Sequence, residues 1–321
     1  MATNTAKSAA AIELGDYDIA VILPCFNEEA AIAATIEGFR QALPSARVFV
    51  FDNNSTDRTV ENAAAAGALL GREQRPGKGN VIRRMFADID ADIYVMADGD
   101  ATYDAAAAPE MVARLIEGQL DMVSGARVSS QAEAYRRGHR LGNRVLTGLV
   151  QRLFSRSFDD MLTGYRVLSR RFVKSFPAIS VGFEIETELT VHALQLRMPT
   201  EEMPATYSAR PENSLSKLST WGDGFRILRM IGFLVKEEKP LQFFFGVALI
   251  IFLPSLAVFL SVLREFLGTG EVARFPSLFV ALSGLVIAAL SVVCALILDT
   301  VSRGRREARH LTYLQHAAPR R

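Results

Sequence analysis

Two long runs without a single charge constrain this chain more than any other stretch of it. They are Gln242–Leu263 (QFFFGVALIIFLPSLAVFLSVL) and Pro276–Leu298 (PSLFVALSGLVIAALSVVCALIL). A helix crosses ~30 Å of hydrocarbon in ~20 apolar residues, and a core helix of a soluble domain rarely runs so far without a polar face. Phe243–Leu263 and Pro276–Leu298 are therefore predicted to span a lipid bilayer, with Pro254 a candidate kink in the first. Lys236 and Lys239 precede the first run, and Arg303, Arg305, Arg306, Arg309, Arg320 and Arg321 follow the second. The connector balances Arg264 and Arg274 against Glu265 and Glu271. Basic flanks stay on the cytoplasmic side. The expectation is a multi-pass protein of the cell (inner) membrane, with its large domain and its basic tail (300–321) in the cytoplasm.

Other features bound the remainder. The stretch 1–16 shows no apolar core behind its charges, so it reads as a flexible segment rather than a signal peptide. Cys25 and Cys294, one in the polar part and one in a span, do not suggest a disulfide, which fits a reducing compartment. A net charge of +1 gives no reason to expect nucleic acid as a partner.

Within 17–218, short apolar runs alternate with Ala-rich helical patterns. Ile19–Leu23, Val48–Phe51, Ile93–Ala97 and Met122–Ser124 read as buried strands; Glu29–Ala42, Thr56–Ala66, Gly79–Ile89 and Ala106–Glu117 read as helices. Such alternation predicts an α/β fold, a mainly parallel Rossmann-like sheet with helices on both faces. Ligands of these sheets gather at the carboxyl ends of the strands. Asn27 and Glu28, Asp52 to Asp57, Asp98 to Asp104, and Arg127 all follow strand patterns, and their convergence points to a site. Residues 219–240 mix Trp221, Phe225, Ile231 and Phe233 with Arg226, Arg229 and Lys236. They read as an interfacial helix or as an ordinary packing helix.

Asp98-Gly99-Asp100 ends a buried strand. Carboxylates there need a compensating cation or hydrogen bonds, which a magnesium-type ion shared with substrate phosphates supplies. Alone the pattern is weak, because a solvated turn explains it equally well. It stands in company, however: Pro24-Cys25-Phe26-Asn27-Glu28, Asp52-Asn53-Asn54-Ser55-Thr56-Asp57, Arg75-Pro76-Gly77-Lys78-Gly79-Asn80, Asp160-Met161-Leu162-Thr163-Gly164-Tyr165-Arg166 and Ser214-Leu215-Ser216-Lys217-Leu218. This ordered series resembles family 2 glycosyltransferases of the GT-A fold, and among them those that make polyprenyl-phosphate sugars, including dolichyl-phosphate mannose synthases.

The resemblance implies a nucleotide-sugar donor, a polyprenyl phosphate acceptor and a Mg²⁺ or Mn²⁺ cofactor. By position it assigns Glu28 and Asp52 to the donor nucleoside, with Pro24, Asn27, Asn54, Asp57 and Lys78 around the same pocket. It assigns Asp98 to the ribose or diphosphate side and Asp100 to the metal, with Asp98, Thr102 or Asp104 completing the metal shell. Arg127, Arg210 and Lys217 match positions near the acceptor phosphate. Arg144 stands with Arg137 and Arg140 at helical spacing, as acceptor ligands or as a solvated basic stripe. Two departures stand out: Asn53 replaces a second Asp, and Thr102 replaces a Gln. The acids of Gly182–Glu188 read as structural or catalytic alike, and His139 and His192 as ordinary helix residues. The reaction implied is inverting sugar transfer, with Asp98, Asp100 and Arg127 nearest the chemistry. A glycolipid or polysaccharide acceptor, or a tethered nucleotide-binding module without catalysis, are the alternatives. A homo-oligomer is left open.

Overall fold

The computed structural model describes residues 14–128, 148, 158, 160–182, 184–208, 236 and 239–319. The chain divides into two compact units, Met1–Gly224 with Arg309–Arg321, and Phe225–Ala308. Arg144, Arg210, Lys217 and nearly all of the interfacial segment 219–240 lie outside the described residues.

The first unit runs β1 (Ile19–Cys25), α1 (Ile32–Ala42), β2 (Arg47–Asp52), α2 (Thr59–Ala65), β3 (Leu69–Arg72), α3 (Lys78–Asp88), β4 (Ile93–Met96), α4 (Ala108–Glu117), β5 (Met122–Val128), β6 (Arg166–Ser169), α5 (Arg170–Ser175), α6 (Ile185–Gln195) and β7 (Thr200–Thr206). The strands form one seven-stranded sheet in the order β3-β2-β1-β4-β6-β5-β7. All neighbours are parallel except β6, which is antiparallel to β4 and β5. The carboxyl ends of six strands therefore share one edge, and β6 starts from it.

Both faces of the sheet are covered, which is why the central strands are continuously apolar rather than alternating. Val21, Leu23, Ile93 and Val95 pack with Ile32, Ile36 and Phe39 of α1 and Met111, Val112 and Leu115 of α4. The opposite face carries Tyr94, whose ring meets Phe86 of α3 edge-on at 6.1 Å; Phe86 in turn meets Phe176 at 5.9 Å. His192 of α6 is buried there against Phe172 and Phe176, with Ser175 Oγ 3.0 Å from its Nε2. Burial, helped by the Arg309 charge, pushes the His192 pKa down to about 3, so the ring is neutral.

The first unit also includes the end of the chain. Tyr313 donates its hydroxyl to Asp121 Oδ2 at 2.8 Å, just before β5 and hence at the amino edge of the sheet. Arg171 pairs with the same carboxylate and lies over the Tyr313 ring at 4.8 Å, while Arg309 Nη1 donates to Gln195 Oε1 at 2.7 Å.

The second unit contains α7 (Pro240–Thr269) and the apolar part of α8 (Phe275–Leu314), both long and apolar enough to cross a membrane. They contain the two expected spans. Pro254 lies inside α7. Ala281, Ala288 and Ala295 are buried at seven-residue intervals on α8, and a Cβ on Gly284 would lie 2.0 Å from Ser255 Oγ. Small residues thus let the helices approach closely, as in packing within lipid. Outward side chains such as Ile250, Leu267 and Val280 are more than seven-tenths exposed. So much contiguous apolar surface signals membrane association.

Candidate active site

The loops leaving β1 and β2 are stitched together by the polar residues the sequence singled out. Asn27 donates its backbone N–H to Ser55 Oγ at 2.9 Å and accepts the Thr56 N–H on Oδ1 at 2.8 Å. The buried Asp52 carboxylate accepts the N–H groups of Asn54 and Ser55, each at 3.1 Å. Glu28, also buried, donates its N–H to Thr59 Oγ1 at 2.8 Å. Asp57 accepts from Glu29 N, Thr59 N and Thr59 Oγ1. Burial works against its charge, but the Thr59 hydrogen bonds hold its pKa below the ordinary carboxylate value. Asp57 thus shapes the loop. Asn27, Asn54 and Ala101 have φ of 54°, 65° and 57° at three strand ends. Alanine there costs about 1–2 kcal/mol, an outlier of the kind that gathers at functional sites.

Asn53 explains one departure from the family pattern. Its amide donates to the carbonyls of Glu73 at 2.9 Å and Arg75 at 2.8 Å, and its Oδ1 accepts the Gly77 N–H at 2.7 Å. A carboxylate could make only the last of these bonds. Asn54 adds a bond from Nδ2 to Gln74 O at 2.8 Å. The loop so fixed presents Lys78. A Cβ on Gly77 would stand 2.3 Å from Val181 O, and one on Gly79 2.1 Å from Ser180 O. Gly77 has a φ of 122°, so glycine is needed there on both grounds.

Lys78 Nζ is buried between two carboxylates, pairing with Asp98 Oδ1 and, at 2.6 Å, with Glu186 Oε1. Burial opposes its charge, yet the two carboxylates outweigh burial and raise its pKa. Burial raises the Glu186 pKa, with Asp98 adding to the rise and Lys78 opposing it. Asp98 also lies against Gly164, where a Cβ would come within 2.7 Å of Asp98 Oδ2. Asp100 is buried and accepts from Thr102 N at 3.2 Å and Thr102 Oγ1 at 2.6 Å. The carboxylates converge on the end of β1: burial, then Glu28, Asp98, Asp52 and Asp100, push the Cys25 thiol pKa well up.

Among the described residues, no three His, Cys, Asp or Glu side chains converge as a complete metal-ligand set. Asp98 and Asp100 are nonetheless hard oxygen donors of the type that Mg²⁺ or Mn²⁺ takes in ones and twos, completing its shell with phosphate and water. The donor chemistry fits such an ion. Asp104 caps the short turn Ala105–Ala107 through Ala106 N at 2.9 Å, which accounts for its carboxylate.

On the other side of the sheet edge, Arg127 forms a two-pronged pair with Asp160, Nε to Oδ2 at 2.6 Å and Nη2 to Oδ1 at 2.8 Å. Burial opposes the Asp160 charge, but Arg127 holds its pKa below the ordinary value. The guanidinium also lies 5.6 Å from the Tyr207 ring centroid. Any phosphate approaching Arg127 must share it with Asp160. The sequence left Glu186 open between two roles and gave Asp160 and Arg166 none. Their signal was the motif carrying Thr163-Gly164, which now proves to pack on Asp98.

Residues 20–176 match the glycosyl transferase family 2 model. Protein RfbJ of Shigella flexneri is 55% identical over 39% of this chain and 97% of its own length. Glycosyltransferase AglJ of Haloferax volcanii is 34% identical, covering 71% of this chain and 75% of its own. A dolichyl-phosphate hexose transferase of the same organism is 27% identical over 69% and 96% respectively. Glucosyl-3-phosphoglycerate synthase from Mycobacterium tuberculosis, solved with Mn²⁺, UDP and glucosyl-3-phosphoglycerate, shares the fold at a TM-score of 0.56 and 24% identity, covering 68% of this chain and 79% of that one. The chain belongs to glycosyl transferase family 2, and the sheet with its strand-end acids is the GT-A arrangement expected from the motifs.

Proposed function

We propose that this glycosyltransferase moves a sugar from a UDP- or GDP-linked donor onto polyprenyl phosphate, giving a lipid-phosphate-sugar for cell-envelope glycan or glycoprotein modification. The observation that carries the reading is the pairing, in one chain, of a strand-end site bearing Lys78 and Arg127 with two membrane-length helices. The first suits phosphate oxygens; the second suits an acceptor that lives in lipid. The name of the dolichyl-phosphate hexose transferase relative supports the acceptor class.

In this reading Glu28 and Asp52 face the donor nucleoside, in loops shaped by Pro24, Asn27, Asn54 and Asp57. Lys78 serves the donor diphosphate. Asp98 and Asp100 would hold Mg²⁺ or Mn²⁺, which would neutralise charge on the departing diphosphate; the Mn²⁺ and UDP bound by the mycobacterial synthase support this. Arg127, with Arg144, Arg210 and Lys217, holds the acceptor phosphate. An acceptor phosphate oxygen attacks the anomeric carbon as the bond to the donor diphosphate breaks and its electron pair leaves with the nucleoside diphosphate. The nucleophile is already ionised, so alignment and charge do the work and no strong base is required. In this reading the two apolar helices form a membrane hairpin whose two ends lie on the same side. The basic flanks support the cytoplasm as that side.

The test is transfer by the full chain in proteoliposomes, with UDP- and GDP-sugars offered alongside polyprenyl phosphate, glycolipid and polysaccharide acceptors. Sugar-phosphate lipid formed with one donor is the expected product. Transfer to the other acceptors alone, or nucleotide binding without transfer, would overturn the reading.

A further inference from the structure

Arg166 is a buried cation that the reaction scheme leaves unused. It opens β6, where its backbone is paired with Met96 of β4 on one side and Ser124 of β5 on the other. Those strands lead to Asp98 and to Arg127, the donor and acceptor sides of the site. The side chain is fully buried. Its guanidinium donates to three main-chain carbonyls: Nε to Thr163 O at 3.1 Å, and Nη2 to Met161 O at 2.9 Å and to Glu186 O at 3.0 Å. Nη1 meets Met122 Sδ at 3.2 Å. Burial lowers its pKa to about 10, which still leaves it charged at neutral pH.

Each of these carbonyls belongs to a segment that carries a site residue. Met161 and Thr163 flank the turn between Asp160, the partner of Arg127, and Gly164, the backbone wall of Asp98. Glu186 carries the carboxylate that pairs with Lys78. A planar fork of five N–H donors can hold three carbonyls from two segments at once, whereas an ammonium on a flexible stem cannot fix them in one plane.

We propose that Arg166 is a positioning residue that pins the Asp160–Gly164 turn to the start of α6 and so couples the acceptor side of the site to the donor side. The kinetic part of this proposal rests on the transfer reaction above. Asp160→Asn and Glu186→Gln alter side chains in the two pinned segments. If Arg166 couples them, the double variant loses at least about tenfold less kcat than the product of the two single losses, whereas independent sites multiply to within about twofold. In an Arg166→Lys background the losses become multiplicative, and Arg166→Lys alone lowers kcat by about 100-fold while the Kd for UDP with Mn²⁺ stays within threefold. Multiplicative losses in the parent chain, or kcat unchanged in Arg166→Lys, would overturn the proposal. Multiplicative losses in the parent chain overturn the coupling even where Arg166→Lys fails to fold. Should the parent show no transfer, the functional reading falls but the pinning is still measurable. Hydrogen exchange on the full chain in detergent would then show segments 160–165 and 186–190 opening together in Arg166→Lys with β1 and β2 unchanged; unchanged exchange in either segment overturns the pinning.

Discussion

Asn53→Asp is the sharpest test of how the loop after β2 is built. The substitution restores the acid that the family pattern carries and keeps the shape of the side chain. It keeps the bond from Gly77 N but removes both donors to Glu73 O and Arg75 O, and it turns a carboxylate toward those two oxygens. Each lost hydrogen bond is worth ~1 kcal/mol, with ~1 kcal/mol more for each part-buried oxygen left without a donor. After an offset of ~1 kcal/mol for the stronger charged bond to Gly77, the loss is about 3 kcal/mol at pH 7. For a domain of this size that lowers the melting temperature by roughly 6–12 °C. The loss should depend on pH. A carboxylate facing two carbonyls takes up a proton more readily folded than unfolded, so its folded pKa lies above its unfolded one. Between those values the folded state binds more protons, and stability falls as pH rises through the folded pKa. Circular-dichroism melts of the full chain in detergent, from pH 5 to pH 8, check both points against the parent. A melting temperature within about 2 °C of the parent at pH 7, or a gap that fails to shrink toward acid pH, would refute the reasoning.

Further outcomes follow from the same geometry. Lys78→Met leaves Asp98 and Glu186 without their shared cation and should lower turnover by about 10²–10³-fold; steady-state rates within threefold of the parent would contradict the role given to it. Gly79→Ala sets two effects against each other. Helix propensity favours alanine by about 1 kcal/mol, but its Cβ would collide with Ser180 O at 2.1 Å. The collision should win by about 1–3 kcal/mol, so a higher melting temperature would count against the packing described. Asp160→Asn should be less stable than the parent at neutral pH, because Arg127 holds the folded Asp160 pKa below its unfolded value. That contribution is present above the unfolded pKa and is lost as pH falls through the folded one, so acid titration should bring the two melting curves together.

Much of this architecture was legible in the residues. Four strands and four helices of the sheet were readable because buried parallel strands are apolar throughout and their helices are amphipathic; the observed β1, β2, β4 and β5 and α1 to α4 depart from expectation by a few residues at their ends. β3 was not readable. It is a four-residue edge strand, Leu69–Arg72, with no alternation. β7 was hidden by Glu201, Glu202 and Pro204, which on composition alone argue against a strand. At the site, the motifs picked out the strand-end carboxylates but not their partners. Lys78 could be found from its glycines, whereas Glu186 comes to it across 108 residues, a proximity that exists only after folding. Asn53 was legible as a departure, and its reason lay in the carbonyls of a loop twenty residues on.

The contacts of Arg309 and Tyr313 bear on how the molecule is made. Both residues are synthesised after the two apolar helices, yet they pack on Gln195 and Asp121. In sequence the apolar pair is an insertion within the catalytic unit, which resumes at Arg309. The body of the sheet can therefore form early, but its amino edge is completed only once the two apolar helices have been translated. A version made by stopping the chain before Pro240 would leave the Asp121–Arg171 pair without its tyrosine lid. Rejoining residues 309–319 through a polar linker would restore it.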